Sequence, residues 1–313
     1  MSRRFTFIGV STADSSIMGV FPLWREALDL GDDVEIEGWD LELGAPDAAY
    51  AAAVDRLAAD PDNLGALVTT HKLGLMRAAA DRFDELDEDA RLLGEISCIA
   101  KRDGLLLGSA KDPMTAAGAL EAIVATDHFA GGAEALVMGA GGAGTAIATY
   151  LAARRADRPR RIVVTDTAGD RLDHLREIGA RLGCGQALEL RIAADGVHDE
   201  LLAGLPAGSL VVNATGMGKD GPGSPLADAA VFPRGGIAWE LNYRGELGFL
   251  RQAETQRAER ELTIADGWGY FIRGWAAVIE EVFRRPIDED ELELLSREAA
   301  VARAEPKEER DGG

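Results

Sequence analysis

Residues 134–150 read EALVMGAGGAGTAIATY, and the reading of the fold starts there. Residues 135–138 are a short apolar run of the kind that forms a strand buried on both faces of a parallel sheet. Gly139, Gly141 and Gly144 follow in GxGxxG spacing with Gly142 among them, and 145–153 then carries a helical pattern. The first glycine permits the tight turn, the second lets backbone approach a pyrophosphate, and the third lets the helix pack closely on the strand. The helix N-terminus then faces the anion. A glycine-rich turn alone is common. With a strand before it, a helix after it and Asp166 closing the next strand, it points to a dinucleotide site.

Downstream, strands are expected at 161–165 (RIVVT), 187–192, 210–213, 237–241 and 262–265, with helices at 170–182 and 248–256 between them. That alternation predicts a parallel sheet. Upstream, strands are expected at 5–10, 34–41 and 65–69 and helices at 20–30 and 47–59, followed by a charged helical region at 74–88. Segments 96–100 and 105–108 are spaced to pair across the turn Arg102-Asp103-Gly104. Lys111-Asp112-Pro113 closes this first unit, because a residue before proline is pushed out of helix. A helix at 114–125 leads into the glycine turn, an amphipathic helix covers 270–283, and the remainder grows charged. The fold class is therefore α/β in two domains, an N-terminal α/β domain with a mainly parallel sheet and a Rossmann domain. Residues 301–313 read as a charged, disordered tail.

The 313 residues are 47% apolar, enough for two cores, and no run is long enough to span a bilayer. Cys98 and Cys184 stand far apart without metal-ligand spacing, so two reduced thiols of a cytoplasmic protein and no metal are expected. With 54 acidic against 33 basic side chains the formal charge is −21, which excludes a nucleic-acid or anionic-membrane partner. The expected partner is a small-molecule substrate, and the expected state a monomer or homodimer.

Seven segments occur in an order that resembles the shikimate dehydrogenases and their quinate and aminoshikimate relatives. They are GVSTADS (9–15), VTTHK (68–72), GLLLGSAKD (104–112), GAGGAG (139–144), VVNATGMG (211–218), ELNYRGE (240–246) and DGWGYF (266–271). The resemblance implies a substrate-binding domain at 1–111, completed by a returning helical region at 268–300, and a Rossmann domain at 112–267. It also implies an oxidoreductase that passes a hydride between a nicotinamide cofactor and a cyclic hydroxy acid or cyclitol-type alcohol or ketone.

By the same resemblance Lys72 and Asp112 are the catalytic pair. Hydride transfer to or from a carbinol carbon needs one proton moved on or off the oxygen. A partly desolvated lysine is suited to that task, and a neighbouring carboxylate holds its ammonium in place. Ser15, Thr69, Ser97, Tyr243 and Arg273 fall at substrate-side positions. Asn213, Ala214, Thr215 and Gly216 match the loop along the cofactor, and Gly269 and Tyr270 match the border of the nicotinamide. Four positions depart from the family pattern: Ile17, Ser97, Ala110 and Gly274 replace polar groups that hold the ring. A site that loses such donors relaxes or redirects its choice, so the reaction type is expected to carry over and the substrate is not. Lys111 and Arg273 offer a different anchor for an anionic substrate. His71, beside Lys72, is either a packing residue or a second proton relay.

Asp166 ends the second Rossmann strand, where a carboxylate accepts hydrogen bonds from ribose hydroxyls. Asp166-Thr167-Ala168 contains no cation, and Arg154, Arg155, Arg158, Arg160 and Arg161 lie before the strand, at the sheet's other end. NAD is therefore expected over NADP. The competing readings are a methylenetetrahydrofolate dehydrogenase-type enzyme and a non-catalytic NAD-binding sensor.

Overall fold

The computed structural model describes residues 2–219 and 222–304. The chain divides into two compact units, one taking residues up to Lys111 and again from Ile272, the other Asp112–Phe271.

The first unit runs β1 (Arg3–Gly9), α1 (Ile17–Ala27), β2 (Val34–Asp40), α2 (Asp47–Ala59), β3 (Asn63–Val68), α3 (Lys72–Ala79), β4 (Glu85–Leu86), α4 (Glu88–Leu93), β5 (Cys98–Arg102) and β6 (Leu105–Ser109). Its six-stranded sheet has the order β2-β1-β3-β5-β6-β4. β1 pairs parallel with β2 and β3, whereas β3–β5 and β5–β6 are antiparallel. The second unit begins with α5 (Asp112–Ile123), β7 (Ala135–Met138), α6 (Gly142–Thr149), β8 (Ile162–Asp166), α7 (Gly169–Arg181) and β9 (Leu188–Ile192). It continues with α8 (Val197–Ala203), β10 (Leu210–Asn213), β11 (Ile237–Glu240), α9 (Gly248–Arg260) and β12 (Thr263–Ala265). The unit boundary falls inside α10 (Trp268–Phe283), and α11 (Glu289–Ala304) belongs to the first unit.

All six strands of the second sheet are parallel, in the order β12-β11-β10-β7-β8-β9. Read from the other edge by order of appearance this is 3-2-1-4-5-6, the doubly wound order, which reverses between β7 and β10. All four residues of β7 and all four of β10 are buried, as strands covered by helices on both faces must be. Their register opposes Met138 to Asn213 and, on the other side, Met138 to Thr165. The turns after β7, β8 and β10 therefore open side by side at the carboxyl edge.

Three segments differ from expectation. The charged region 74–88 is not one helix: α3 ends at Ala79, and Asp84 and Asp87 redirect the chain. Asp84 Oδ2 accepts from Leu106 N at 2.7 Å, and Asp87 Oδ1 caps α4 by accepting from Ala90 N at 2.7 Å. α5 starts at Asp112 itself, with Pro113 in the first turn, where a missing N–H costs nothing. α11 carries regular structure to Ala304, because Trp24 Nε1 donates to Leu295 O at 2.8 Å and Leu295 and Ala299 are wholly buried. The rest of the expected charged tail lies outside the described residues. No helix among the described residues is long and apolar enough to cross a membrane.

Candidate functional site

The glycine turn is shaped by contact on two sides and open on the third. Gly139 has φ +105°, and a Cβ there would stand 2.5 Å from Ala214 O. A Cβ on Gly144 would collide with the carbonyl oxygen of Gly139. A Cβ on Gly141 would meet nothing within 4 Å. Gly141 is the N-cap of α6 and no side chain caps that terminus, leaving a backbone cradle with the shape and polarity for a phosphate. The turn packs on the loop after β10, where Ala214 N donates to Met138 O at 2.7 Å. Gly216 takes φ +79° in that loop, and a Cβ on it would also meet nothing within 4 Å.

Asp166 is buried, and its carboxylate braces the turn. Oδ2 accepts from Ala140 N at 2.8 Å and Oδ1 from Ala168 N at 2.9 Å. Arg171, in the first turns of α7, brings Nη1 to 3.5 Å from Asp166 Oδ2. A cation therefore does stand at the carboxyl end of β8, although it is absent from residues 166–168. Sequence reasoning missed it because α7 folds the fifth residue after Asp166 back over the strand end.

Asn213 links strand to loop. Its Oδ1 accepts from Thr215 N at 3.2 Å and Thr215 Oγ1 at 2.7 Å, and its Nδ2 donates to Glu240 Oε2 at 2.7 Å. Glu240 is a second residue the sequence reading passed over. It is wholly buried at the end of an apolar strand, and burial pushes its carboxyl up to about 7. The available signal was a lone acid closing IAWE. Further along this edge Tyr243, Trp268 and Phe271 form an aromatic trio. Trp268 and Phe271 stack at 4.9 Å, and Tyr243 lies 4.7 Å from Phe271 and 5.3 Å from Trp268 between ring centroids. Tyr270 turns instead toward Trp239, 6.2 Å away, and packs on the core. Gly269 is exposed, and a Cβ on it would meet nothing within 4 Å.

In the first unit, the chain leaves β3 through a strained turn. Thr70 has φ +45°, a left-handed conformation that is unusual for a β-branched residue, and His71 N donates to Thr69 O. The turn makes Lys72 the first residue of α3, and Lys72 O accepts from Ile96 N at 3.2 Å. His71 is buried. Its Nε2 lies 3.0 Å from Leu41 O, which can only accept, so Nδ1 is the acceptor for Tyr50 OH at 3.1 Å. With both nitrogens engaged, His71 braces the turn.

The loop carrying Ser15 is ordered by Asp40 Oδ1, which accepts from Thr12 N at 2.8 Å and Thr12 Oγ1 at 2.6 Å. Ser15 is half-buried, whereas Ile17 is wholly buried as the first residue of α1, which explains an apolar residue there. Thr69 N donates to Ile8 O at 3.0 Å, and its hydroxyl lies beside Gly9. Ser97 is buried, and its Oγ accepts from Lys111 N at 2.7 Å, shaping the chain just before Asp112. Asp112 is itself buried at the start of α5 in the second unit. Lys111 Nζ lies 3.2 Å from Glu281, which also pairs with Arg102 at 2.7 Å. Arg273 makes a two-pronged pair with Glu289 at 3.1 Å. Either cation would have to leave its carboxylate to meet an anionic substrate.

No protein-family model matches the chain. Among curated proteins, the shikimate dehydrogenase (NADP(+)) of Caulobacter vibrioides (strain NA1000 / CB15N) is 31% identical over 220 residues, 66% of this chain and 71% of that protein. The shikimate dehydrogenase (NADP(+)) of Lactococcus lactis subsp. cremoris (strain MG1363) is 29% identical over 180 residues, 57% of this chain. The chain spans about three fifths of the length of the first such relatives, 61% and 58%. Among solved structures, shikimate 5-dehydrogenase from Thermus thermophilus, in complex with NADP(H) and shikimate, superposes with a TM-score of 0.68 at 25% identity. The superposition covers 95% of this chain and 99% of that one. These findings overturn the expectation of NAD over NADP: the relatives are named for NADP(+), and the Thermus structure holds NADP(H). The physical reason is at Asp166, whose carboxylate is occupied by the glycine turn while Arg171 supplies the cation thought missing.

Proposed function

The chain belongs to the shikimate dehydrogenase family, and we propose on that premise that it transfers a hydride between NADP(H) and a cyclic hydroxy acid or cyclitol-type alcohol or ketone. The observation that carries this reading is the paired turn at the sheet's reversal point. Gly139 and Gly144 are held tight there against Ala214 and each other, with Gly141 open between them. In this reading Gly139, Gly141, Gly142, Gly144 and the loop Asn213–Gly216 hold the pyrophosphate and ribose. Arg171 would meet the 2′-phosphate, and Gly269 would border the nicotinamide while Tyr270 packs on the core. Bound NADP supplies the hydride acceptor. Lys72, as the neutral amine, receives the hydroxyl proton as the hydride departs from carbon, and returns it in the reverse direction, with Asp112 as the second member of the proposed catalytic pair.

Ser15, Thr69, Ser97 and Tyr243 line the substrate side, with the first unit as the substrate-binding domain. The departures at Ile17, Ser97, Ala110 and Gly274 favour a ring with fewer or differently placed hydroxyls than shikimate. The decisive test is Lys72→Ala, assayed on a panel of cyclic hydroxy acids and cyclitols. At least a hundredfold of kcat should be lost while the dissociation constant for NADPH stays within about twofold. Turnover equal to wild type would remove Lys72 from the reaction.

A further inference from the structure

Glu240 ends β11 with no exposed surface, and its hydrogen bonds lead to the loop that follows β10. Oε2 accepts from Asn213 Nδ2 at 2.7 Å and Oε1 from Asn242 N at 2.8 Å. Each partner carries the connection onward. Asn213 Oδ1 accepts from Thr215 N and Oγ1, Thr215 Oγ1 accepts from Met217 N at 3.1 Å, and Asn242 Nδ2 donates to Met217 O at 2.9 Å. Asn213 is wholly buried and Asn242 nearly so. The donors run in one direction, from Met217 to Thr215 to Asn213 to Glu240, and the chain closes only on a group that accepts on both oxygens.

We infer that Glu240 is a positioning residue for dinucleotide binding, a buried latch that fixes residues 214–217 against the glycine turn through Asn213 and Asn242. This rests on the NADP(H) reading proposed above. Ionised, the carboxylate satisfies both donors. Protonated, one oxygen presents an O–H toward a donor and the latch is released. Asp266, after β12, is a like charge bearing on Glu240 that acts with burial to favour the proton. The latch is therefore set to open near neutrality. A glutamine cannot replace it. Its amide nitrogen would face either Asn242 N or Asn213 Nδ2, and flipping Asn213 to accommodate it would aim that amide's nitrogen at Thr215.

The test is fluorescence titration with NADPH and with NADH, which lacks the 2′-phosphate, on wild type and Glu240→Gln from about pH 6 to about pH 8.5. Wild-type affinity should fall for both ligands as pH drops through about 7. A proton shared by both ligands belongs to the protein and not to the phosphate. Glu240→Gln should bind roughly tenfold more weakly at the alkaline end and lose that proton step. In turnover the loss should fall on KM for the cofactor, with kcat largely kept. Thermal melting confirms that the variant is folded; if it is not, the wild-type titrations decide alone. A wild-type profile flat through neutrality, or a folded variant with wild-type affinity, overturns the latch and leaves the proposed function standing. Wild type that binds neither ligand at any pH overturns both.

Discussion

Gly144 lies so close beneath Gly139 that a Cβ on it would collide with the Gly139 carbonyl oxygen, whereas Gly141 between them faces open space. The two glycines therefore serve different purposes, and substitution separates them. Gly144→Ala forces backbone apart and should lower stability by about 1–3 kcal/mol and abolish NADPH binding. Gly141→Ala sits at φ −74°, where alanine is unstrained. It should melt with wild type yet bind NADPH at least tenfold more weakly, because the methyl occupies the approach to the pyrophosphate. Equal melting of the two variants would contradict this division.

What was legible in the sequence divides along physical lines. β7 and β10 were read to the residue, because apolar runs flanked by turn-formers leave a buried parallel strand little freedom in its ends. α2 was legible because Pro46 and Pro61 punctuate it. α11 was expected only through the resemblance, within the returning helical region 268–300, and not from its own pattern, since it shows the core little more than Leu295 and Ala299 amid charged residues. Its order comes from docking on α1, which no local pattern records. At the dinucleotide turn, the glycines were visible as a motif. Arg171 was not, because it joins the strand end only through the geometry of α7, and Glu240 was not, because its role depends on donors from other segments.

Arg171 carries the cofactor correction, and its removal should be selective. The guanidinium is half-exposed and 3.5 Å from Asp166, so it can turn toward a phosphate without unfolding anything. Arg171→Ala should lower kcat/KM for NADP roughly tenfold, about 1.4 kcal/mol, and leave that for NAD within about twofold. An equal loss for both dinucleotides would mean that Arg171 supports the turn rather than reading the phosphate.

Thr70 holds an unfavourable left-handed conformation immediately before His71 and Lys72, and its side chain is exposed. Leaving that region to a glycine removes a strain of about 1–2 kcal/mol and adds about 0.5–1 kcal/mol of unfolded-state entropy. Thr70→Gly should therefore be more stable by about 0.5–1 kcal/mol in urea unfolding. Thr70→Pro, which cannot adopt a positive φ, should be clearly less stable. A destabilised glycine variant would show that the turn is not strained.

His71 makes the first unit sensitive to acid, and the sign follows from its surroundings. Burial lowers its pKa below the ordinary 6.5, with the backbone hydrogen bonds only partly opposing that. Its ring is neutral in the fold, with Nδ1 accepting from Tyr50 OH and Nε2 donating to Leu41 O. Below pH 6.5 the unfolded chain takes up a proton that the folded chain resists, so the unfolded state binds more protons and stability rises with pH. The contribution is complete above 6.5 and is lost as pH falls through the lowered folded value. Glu240 acts in the opposite direction between its ordinary 4.5 and about 7, and Asp87, raised by burial, acts in the same sense as Glu240, so the wild-type profile mixes several groups. The difference between wild type and His71→Gln isolates the histidine. The variant should be less stable by about 1–2 kcal/mol near pH 7.5, from the two lost hydrogen bonds, and the gap should narrow steadily towards pH 5.5. A gap that stays constant across that range would mean that His71 takes up its proton as readily in the fold as in the unfolded chain.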